Sequence, residues 1–440
     1  MLKKLILMMF AVMFALCCSG CEVFTADTAE LFSPPSLSGD LKPISDAIAK
    51  SAGNGYTFKY PQSGEYRSAV VQKDINGDGI LEAFAFYSIT EDDVVTMNID
   101  VIRNRGGEWI SSGSQHIVAG GIDRVDFCDL DEDGVLEILV GWQIYGSSEM
   151  QLAVYSFNNN TLIQRLLQRY THFTTCNLDD NNRNDVLIID MNTTDVVNTA
   201  SLYSLTAEGV IQIGSCELDS KTQSIGAPII SELSSGKPAV YIDSVKGLGA
   251  ITEVLIFKKG KLLNPLFDEQ TKETLSTLRS VSFNTRDFNG DGILEIPVQS
   301  NVPAVAKTEV TEKLYLTNWC SFNGEHLTVQ TTAMINTLDG YYYTVPSKWL
   351  GNIAILKDTA NNIREVYAYN SEEMTVGDSL LYIRAIKRKD WESGMYSALQ
   401  LSSIGEKDNM IFACRISKAG EKAGLTLENV KSNFALYEQE

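Results

Sequence analysis

Three stretches of nine residues carry the most specific chemistry in the chain: Asp74–Glu82 (DINGDGILE), Asp129–Glu137 (DLDEDGVLE) and Asp287–Glu295 (DFNGDGILE). Each places an acid or amide at positions one, three and five, a glycine at six and a glutamate at nine. The glycine permits a sharp turn that points alternate side chains inward, and the result is a cage of hard oxygen ligands. Such a cage suits Ca2+ far better than zinc or copper. In the first loop the ligands would be Asp74, Asn76, Asp78 and Glu82, with the carbonyl of Ile80 at position seven. A fourth copy, Asn177–Asp185 (NLDDNNRND), is weaker. It keeps Asn177, Asp179, Asn181 and Asp185 but has fewer charges, and Asn182 replaces the glycine, a substitution the left-handed backbone tolerates.

Two other readings compete. An EF-hand would need a bidentate glutamate at position twelve between helices, but position twelve is Ala85, Val140 or Val298 and the following residues are strand-like. Alternatively the loops are acidic Asx-turns that bind nothing, since Asp, Asn and Gly are the usual turn formers. The repetition of one ligand pattern favours the cation.

The elements that position these loops recur with them. A fifth, eroded copy begins near Glu232, and the five starting positions are separated by 55, 48, 55 and 55 residues. Within the second period the β-like runs are Arg124 to Cys128, Glu137 to Ile144, Gln151 to Phe157 and Thr161 to Arg169, bounded by Gly, Asn, Asp and Ser. Four short strands per period, repeated about five times, read as β-propeller blades. A solenoid needs a shorter repeat, and a sandwich would not repeat its loop chemistry at a fixed period. The expected fold is therefore mainly β: a propeller of five detectable repeats and five to seven blades over residues 55–335, followed by a smaller α+β domain over 340–440.

The strand-loop-strand setting resembles the FG-GAP or VCBS repeats of integrin-alpha-like β-propellers. That resemblance implies structural Ca2+ at Asp74, Asn76, Asp78, Ile80 and Glu82; at Asp129, Asp131, Asp133, Val135 and Glu137; and at Asp287, Asn289, Asp291, Ile293 and Glu295. It extends with fewer charges to Asn177, Asp179, Asn181 and Asp185. As a whole the chain is similar to bacterial lipoproteins with such repeats whose function is uncharacterised.

The N-terminus points outside the cytoplasm. Lys3 and Lys4 precede an apolar run from Leu5 to Leu16, too short to span a membrane, and Ser19-Gly20-Cys21 then resembles a lipobox. Residues 1–20 are expected to be a lipoprotein signal peptide, Cys21 the lipidated residue, and 21–54 a tether with a short helix. Membrane attachment would then run through the N-terminal lipid, on the extracytoplasmic side. The formal charge is −20, and loss of the two leader lysines would take it to about −22. So acidic a surface argues against nucleic acid as a partner.

Catalytic motifs are absent from the sequence. The three histidines, His116, His172 and His326, are far apart, and there is no G-x-S-x-G, H-E-x-x-H, P-loop or G-x-G-x-x-G. Trp142 and Tyr145 could grip a sugar or a protein surface, or Trp142 could pack between blades. On these grounds the sequence reads as a lipid-anchored binding protein, not an enzyme, that uses a calcium-stabilised propeller to recognise a protein or glycan of the cell envelope. A carbohydrate-active or other hydrolytic enzyme with an acidic site in the propeller cleft is the alternative. A structural factor in envelope assembly is a third reading.

Overall fold

A computed structural model describes residues 41–437 except 54, 92–93, 193–196, 281–282 and 306–313. Cys21, its leader and most of the tether lie outside the described residues. No helix among the described residues is long and apolar enough to cross a membrane. The chain divides into two compact units, one of residues 1–127, 135–148 and 153–164, the other of 128–134, 149–152 and 165–440.

The first unit opens with helix Lys42–Ala52, which has a proline in its first turn and stops at Gly53, where φ is 74°. Ile44, Ala47 and Ile48 recur at helical spacing and bury one face against Val70, Ala83, Ala85, Tyr87 and Ile102 of the following strands. Those strands belong to one antiparallel sheet that runs in chain order from Glu82–Glu91 through Val94–Arg105 and Glu108–Cys128 to Glu137–Ile144 and beyond, with Tyr56–Phe58 and Val70–Lys73 both pairing Glu82–Glu91. Glu108–Cys128 is a single strand of 21 residues. Its first half pairs Val94–Arg105 and its second half neighbours Glu137–Ile144, so one strand serves two successive sets of four. Within its first half a later segment passes close to Gly113: a Cβ there would lie 3.1 Å from the Asn160 carbonyl oxygen and 3.2 Å from the Leu162 nitrogen.

In the second unit four antiparallel strands, His172–Cys176, Asp185–Asn192, Val197–Thr206 and Gly209–Leu218, form a meander in chain order. The next sheet follows the same order with Pro238–Lys246, Gly249–Lys258 and Lys261–Leu263, its first position shared by the short strands Ser224–Ile225 and Ile229–Glu232. A third joins Ile296–Val302, Leu314–Phe322, Leu327–Asn336, Tyr341–Thr344 and Phe434–Leu436. The last contains Ile353–Asp358, Ile363–Asn370, Thr375–Lys387, Met410–Ile416 and Ser402–Lys407. The architecture is thus mainly β, in several antiparallel sheets.

The expected border between residues 335 and 340 runs through the third of these sheets. Leu327–Asn336 pairs Tyr341–Thr344 across it, and the chain's last strand pairs Tyr341–Thr344 on the other side. The core follows the sheet: Val302, Leu316 and Met334 pack in one cluster with Tyr341, Tyr343, Phe412 and Phe434. Ser397–Leu399 is a 3-10 turn closed by Gln400 at φ 51°, and the next strand begins at Ser402. Helix Leu427–Asn433 is started by a reciprocal cap between Thr426 and Asn429.

Candidate functional site

Three of the acidic loops, the first, third and fourth, occupy one structural place: the residue before position one pairs antiparallel with position nine. That pair is Lys73 with Glu82, Cys176 with Asp185, and Arg286 with Glu295. The eroded copy keeps the place with a tighter turn, Glu232 pairing Pro238 and Gly236 standing at φ 72°.

In the third loop the Asp287 carboxylate is folded back into its own backbone. Oδ1 accepts from the nitrogens of Gly290 (2.7 Å) and Asp291 (3.1 Å), and Oδ2 from Gly292 (2.8 Å). These donors, Gly292 foremost, hold its carboxyl below the usual range. Asp291 Oδ1 accepts from Ile293 N (2.8 Å) and Asn289 Oδ1 from Asp291 N (2.9 Å). Glu295 is fully buried at the head of its strand, and Phe288 N donates to its Oε2 (2.8 Å). Burial pushes the Glu295 carboxyl up, the Phe288 N–H opposes that, and the charges of Asp291 and Asp287 add to it. Oxygens of Asp287, Asp291 and Glu295 all lie within 4.8 Å of one another. Three convergent carboxylates, one of them desolvated, fit a hard divalent cation, which would relieve both the repulsion and the burial.

The first loop has the same internal hydrogen bonds, from Gly77 and Gly79 to Asp74 and from Ile80 to Asp78, but a different neighbour. Arg103, from the strand two along, places Nε 3.3 Å from Glu82 Oε1 and Nη2 3.9 Å from Asp78 Oδ2. A guanidinium therefore stands at part of the expected cage. In the second loop Asp129 accepts from Glu132 N (2.7 Å) and Gly134 N (3.1 Å). Burial raises the Asp131 carboxyl, with the Asp133 charge adding to it. Glu137 is buried in the first unit, where Ser156 Oγ donates to it at 3.1 Å.

The fourth loop survives its lost glycine through Asn182, at φ 67°. Asn177 Oδ1 accepts from Asn181 N (3.0 Å), and Asn181 Nδ2 donates to Asp179 (2.8 Å). Asp185 is wholly buried, and among the described residues neither of its oxygens has a hydrogen-bond partner. Burial pushes its carboxyl up to about 6, the neighbouring Ser204 hydroxyl opposing and the Asp179 charge adding.

A second group of titratable side chains had no signature in the sequence. Lys246, buried on strand Pro238–Lys246, lies 2.6 Å from Asp219 and 2.7 Å from Glu273, and Lys221 also pairs Glu273. Burial by itself would lower the Lys246 pKa; its two carboxylate partners more than offset this and raise it. Beside them Glu253, with no exposed surface, accepts at Oε1 from Asp219 N (3.0 Å), Asn264 Nδ2 (2.7 Å) and Thr274 Oγ1 (3.2 Å). Its Oε2 has no partner among the described residues. Burial pushes its carboxyl up to about 7. Asn264 separates it from a cavity of about 590 Å3 that is also lined by Glu217, Lys258 and Glu269. These residues are scattered over 57 positions, so no spacing could reveal them.

Burial decides between the two readings of Trp142. Trp142 is 1% exposed and donates to Tyr155 (3.2 Å), so it is a core residue and offers no gripping surface. His172 spends its Nε2 on the Ile225 carbonyl (2.9 Å).

No family model matches the chain, and no curated protein matches it. Among solved structures it is similar to the exotype rhamnogalacturonan lyase YesX, at 9% identity over 73% of this chain and 84% of that one, with a TM-score of 0.31. A rhamnogalacturonan lyase of Bacillus licheniformis aligns at 10% identity over 73% and 77%, TM-score 0.30. The Pseudomonas aeruginosa periplasmic gluconolactonase PpgL aligns at 11% over 71% and 94%, TM-score 0.27. All three are enzymes, and this corrects the expectation of a binding protein that is not an enzyme. At such identities and TM-scores they fix neither family nor reaction.

Proposed function

We propose that the chain is a calcium-loaded β-propeller of FG-GAP/VCBS type, exported and anchored through lipid at Cys21. The observation that carries the calcium is the third loop, where carboxylate oxygens of Asp287, Asp291 and Glu295 converge within 4.8 Å around a fully buried glutamate. Asn289 and the Ile293 carbonyl would complete the oxygen set, and the other loops would take the same ion with the residues their positions supply. The blade reading is supported by the repeated meander and by the shared structural place of the first, third and fourth acidic loops. Calcium here braces the fold. For the soluble chain from residue 22 onward, calcium at a hundredfold excess over its dissociation constant should add about 2.7 kcal/mol to stability, seen as a rise in Tm that a chelator reverses. Replacing Asp287 and Asp291 with Ala should remove one bound calcium by elemental analysis. A wild-type chain that holds no metal and shows no shift would refute the reading.

A second reading concerns chemistry: a carbohydrate-active or hydrolytic enzyme with an acidic centre at Glu253. What favours it is a carboxyl near 7, where one group serves as acid and as base, held one side chain behind a cavity wall that bears Glu217 and Glu269. The solved structures named above act on rhamnogalacturonan and a gluconolactone, so pectic polysaccharides and aldonolactones are the first substrates to try. Turnover that Glu253→Gln abolishes while the fold persists would support the assignment. Turnover that survives the substitution would remove Glu253 from it.

A further inference from the structure

A cavity of about 470 Å3 in the second unit is distinct from the groups above in its charge. Acids outnumber bases 56 to 36 in the chain, yet no described residue lining this cavity is acidic, and Arg364 and Lys357 both are lining residues. The two are direct partners across the antiparallel pair Ile353–Asp358 and Ile363–Asn370, so both side chains leave the same face of the sheet. Like charges placed opposite each other repel, and nothing in the ladder requires them there.

Arg364 is only 7% exposed. Its guanidinium makes two hydrogen bonds, Nη1 to the Ile363 carbonyl (3.0 Å) and Nη2 to Asn336 Oδ1 (3.3 Å), and has no ion pair among the described residues. Asp339 is linked to it only through Asn336, whose Nδ2 donates to Asp339 at 2.7 Å. Arg279, 1% exposed, shows how this protein otherwise treats a buried guanidinium. It pairs Asp243 at 3.0 Å and donates to Phe283 O, Thr252 Oγ1 and Thr277 O as well. A buried guanidinium offers five N–H donors and is costly to leave without a counter-ion. Leu314, Met334 and Ile355 line the same cavity, which gives it apolar as well as cationic lining.

We propose that this cavity binds a small organic oxyanion whose carboxylate or phosphate bridges Arg364 and Lys357 while its carbon skeleton rests on Leu314, Met334 and Ile355. The planar fork of Arg364 suits either group, and a volume near 470 Å3 accommodates a sugar acid or a sugar phosphate. The proposal stands apart from the calcium loops and from Glu253.

Calorimetric titration of the full chain with a hexuronate, a hexose 6-phosphate, inorganic phosphate and a neutral hexose tests it. At least one of the two organic anions should bind with a dissociation constant below about 10 mM, and the neutral hexose should not. Uronate against sugar phosphate tells which oxyanion is preferred. Arg364→Gln should weaken the binding by about tenfold or more and Lys357→Gln by a smaller factor. Circular dichroism checks the fold of each; should Arg364→Gln unfold, Lys357→Gln, at a half-buried position, decides alone. Binding of neither organic anion, equal affinity for inorganic phosphate and hexose 6-phosphate, or affinity unchanged in the folded variants would each overturn the proposal.

Discussion

The first and third acidic loops are identical at eight of nine positions and differ only in Ile75 against Phe288, yet they balance their charge differently. Glu295, fully buried, has the Phe288 N–H and the Asn289 amide for company and, among the described residues, no ion pair with a cationic side chain. Glu82, 2% exposed, has the Arg103 guanidinium 3.3 Å away. The ligand pattern is written in nine consecutive residues, but the charge that the pattern must absorb depends on a strand twenty residues further on. Buried carboxylates in this protein thus fall into two sorts. Some, such as Glu82 and Asp219, are met by a protein cation; others, such as Glu295 and Glu253, have none among the described residues.

The largest effect that tests this division should come from removing a protein cation at its most buried. Lys246→Met leaves Asp219, which has no exposed surface, without its partner at 2.6 Å, and leaves Glu273 with Lys221 alone. A loss of about 3–5 kcal/mol is expected in denaturant titration, with or without calcium. A loss that calcium restores would mean the cluster is itself a cation site and would break the division.

A somewhat smaller effect is expected at Glu253, where no cation compensates. Its folded-state pKa, about 7, lies above the ordinary 4.5, so the folded chain binds the proton more tightly than the unfolded chain does. The Glu253 contribution to wild-type stability should therefore be greatest below about pH 4.5, fall as pH rises to about 7, and stay level above, by about 3 kcal/mol in all. Glu253→Gln, which keeps an acceptor for Asp219 N, should match the wild type near pH 4 and exceed it near pH 8. Parallel stability curves for the two chains would show that folding does not shift the Glu253 pKa.

The same distinction governs how much the sequence revealed. Positions one to nine of each loop, Asn182 as the glycine substitute and the period near 55 residues are local facts, and local hydrogen bonding such as Gly292 N to Asp287 follows from them. What was not legible is non-local. Gly113, Gly120 and Gly121 look like turn punctuation, but they lie inside one strand of 21 residues, with Gly113 there because Asn160 and Leu162 pass so near. The border near 340 was placed where the acidic loops stop, whereas the pairing of Tyr341–Thr344 with both Leu327–Asn336 and Phe434–Leu436 carries sheet and core across it. Arg103, Lys246 and Arg364 likewise reach their places by strand pairing, and no spacing in the sequence announces them.

The smallest effect is the one that separates the twin loops directly. Arg103 is partly exposed and also donates to Asn160 Oδ1 at 3.3 Å, so its ion pair with Glu82 is screened by water and worth about 1 kcal/mol in the absence of calcium. Arg103→Met should cost about that much to a calcium-free chain. With calcium present the sign should turn, because the guanidinium and the ion draw on the same oxygens of Glu82 and Asp78 and the variant leaves them to the ion alone. Calcium titration of a chain whose third loop is disabled by Asp291→Ala should then show tighter binding in the Arg103→Met background than in its absence. Unchanged or weaker binding would mean that Arg103 stands outside the cage and holds Glu82 in position for the ion, and the two loops would differ in support, not in competition.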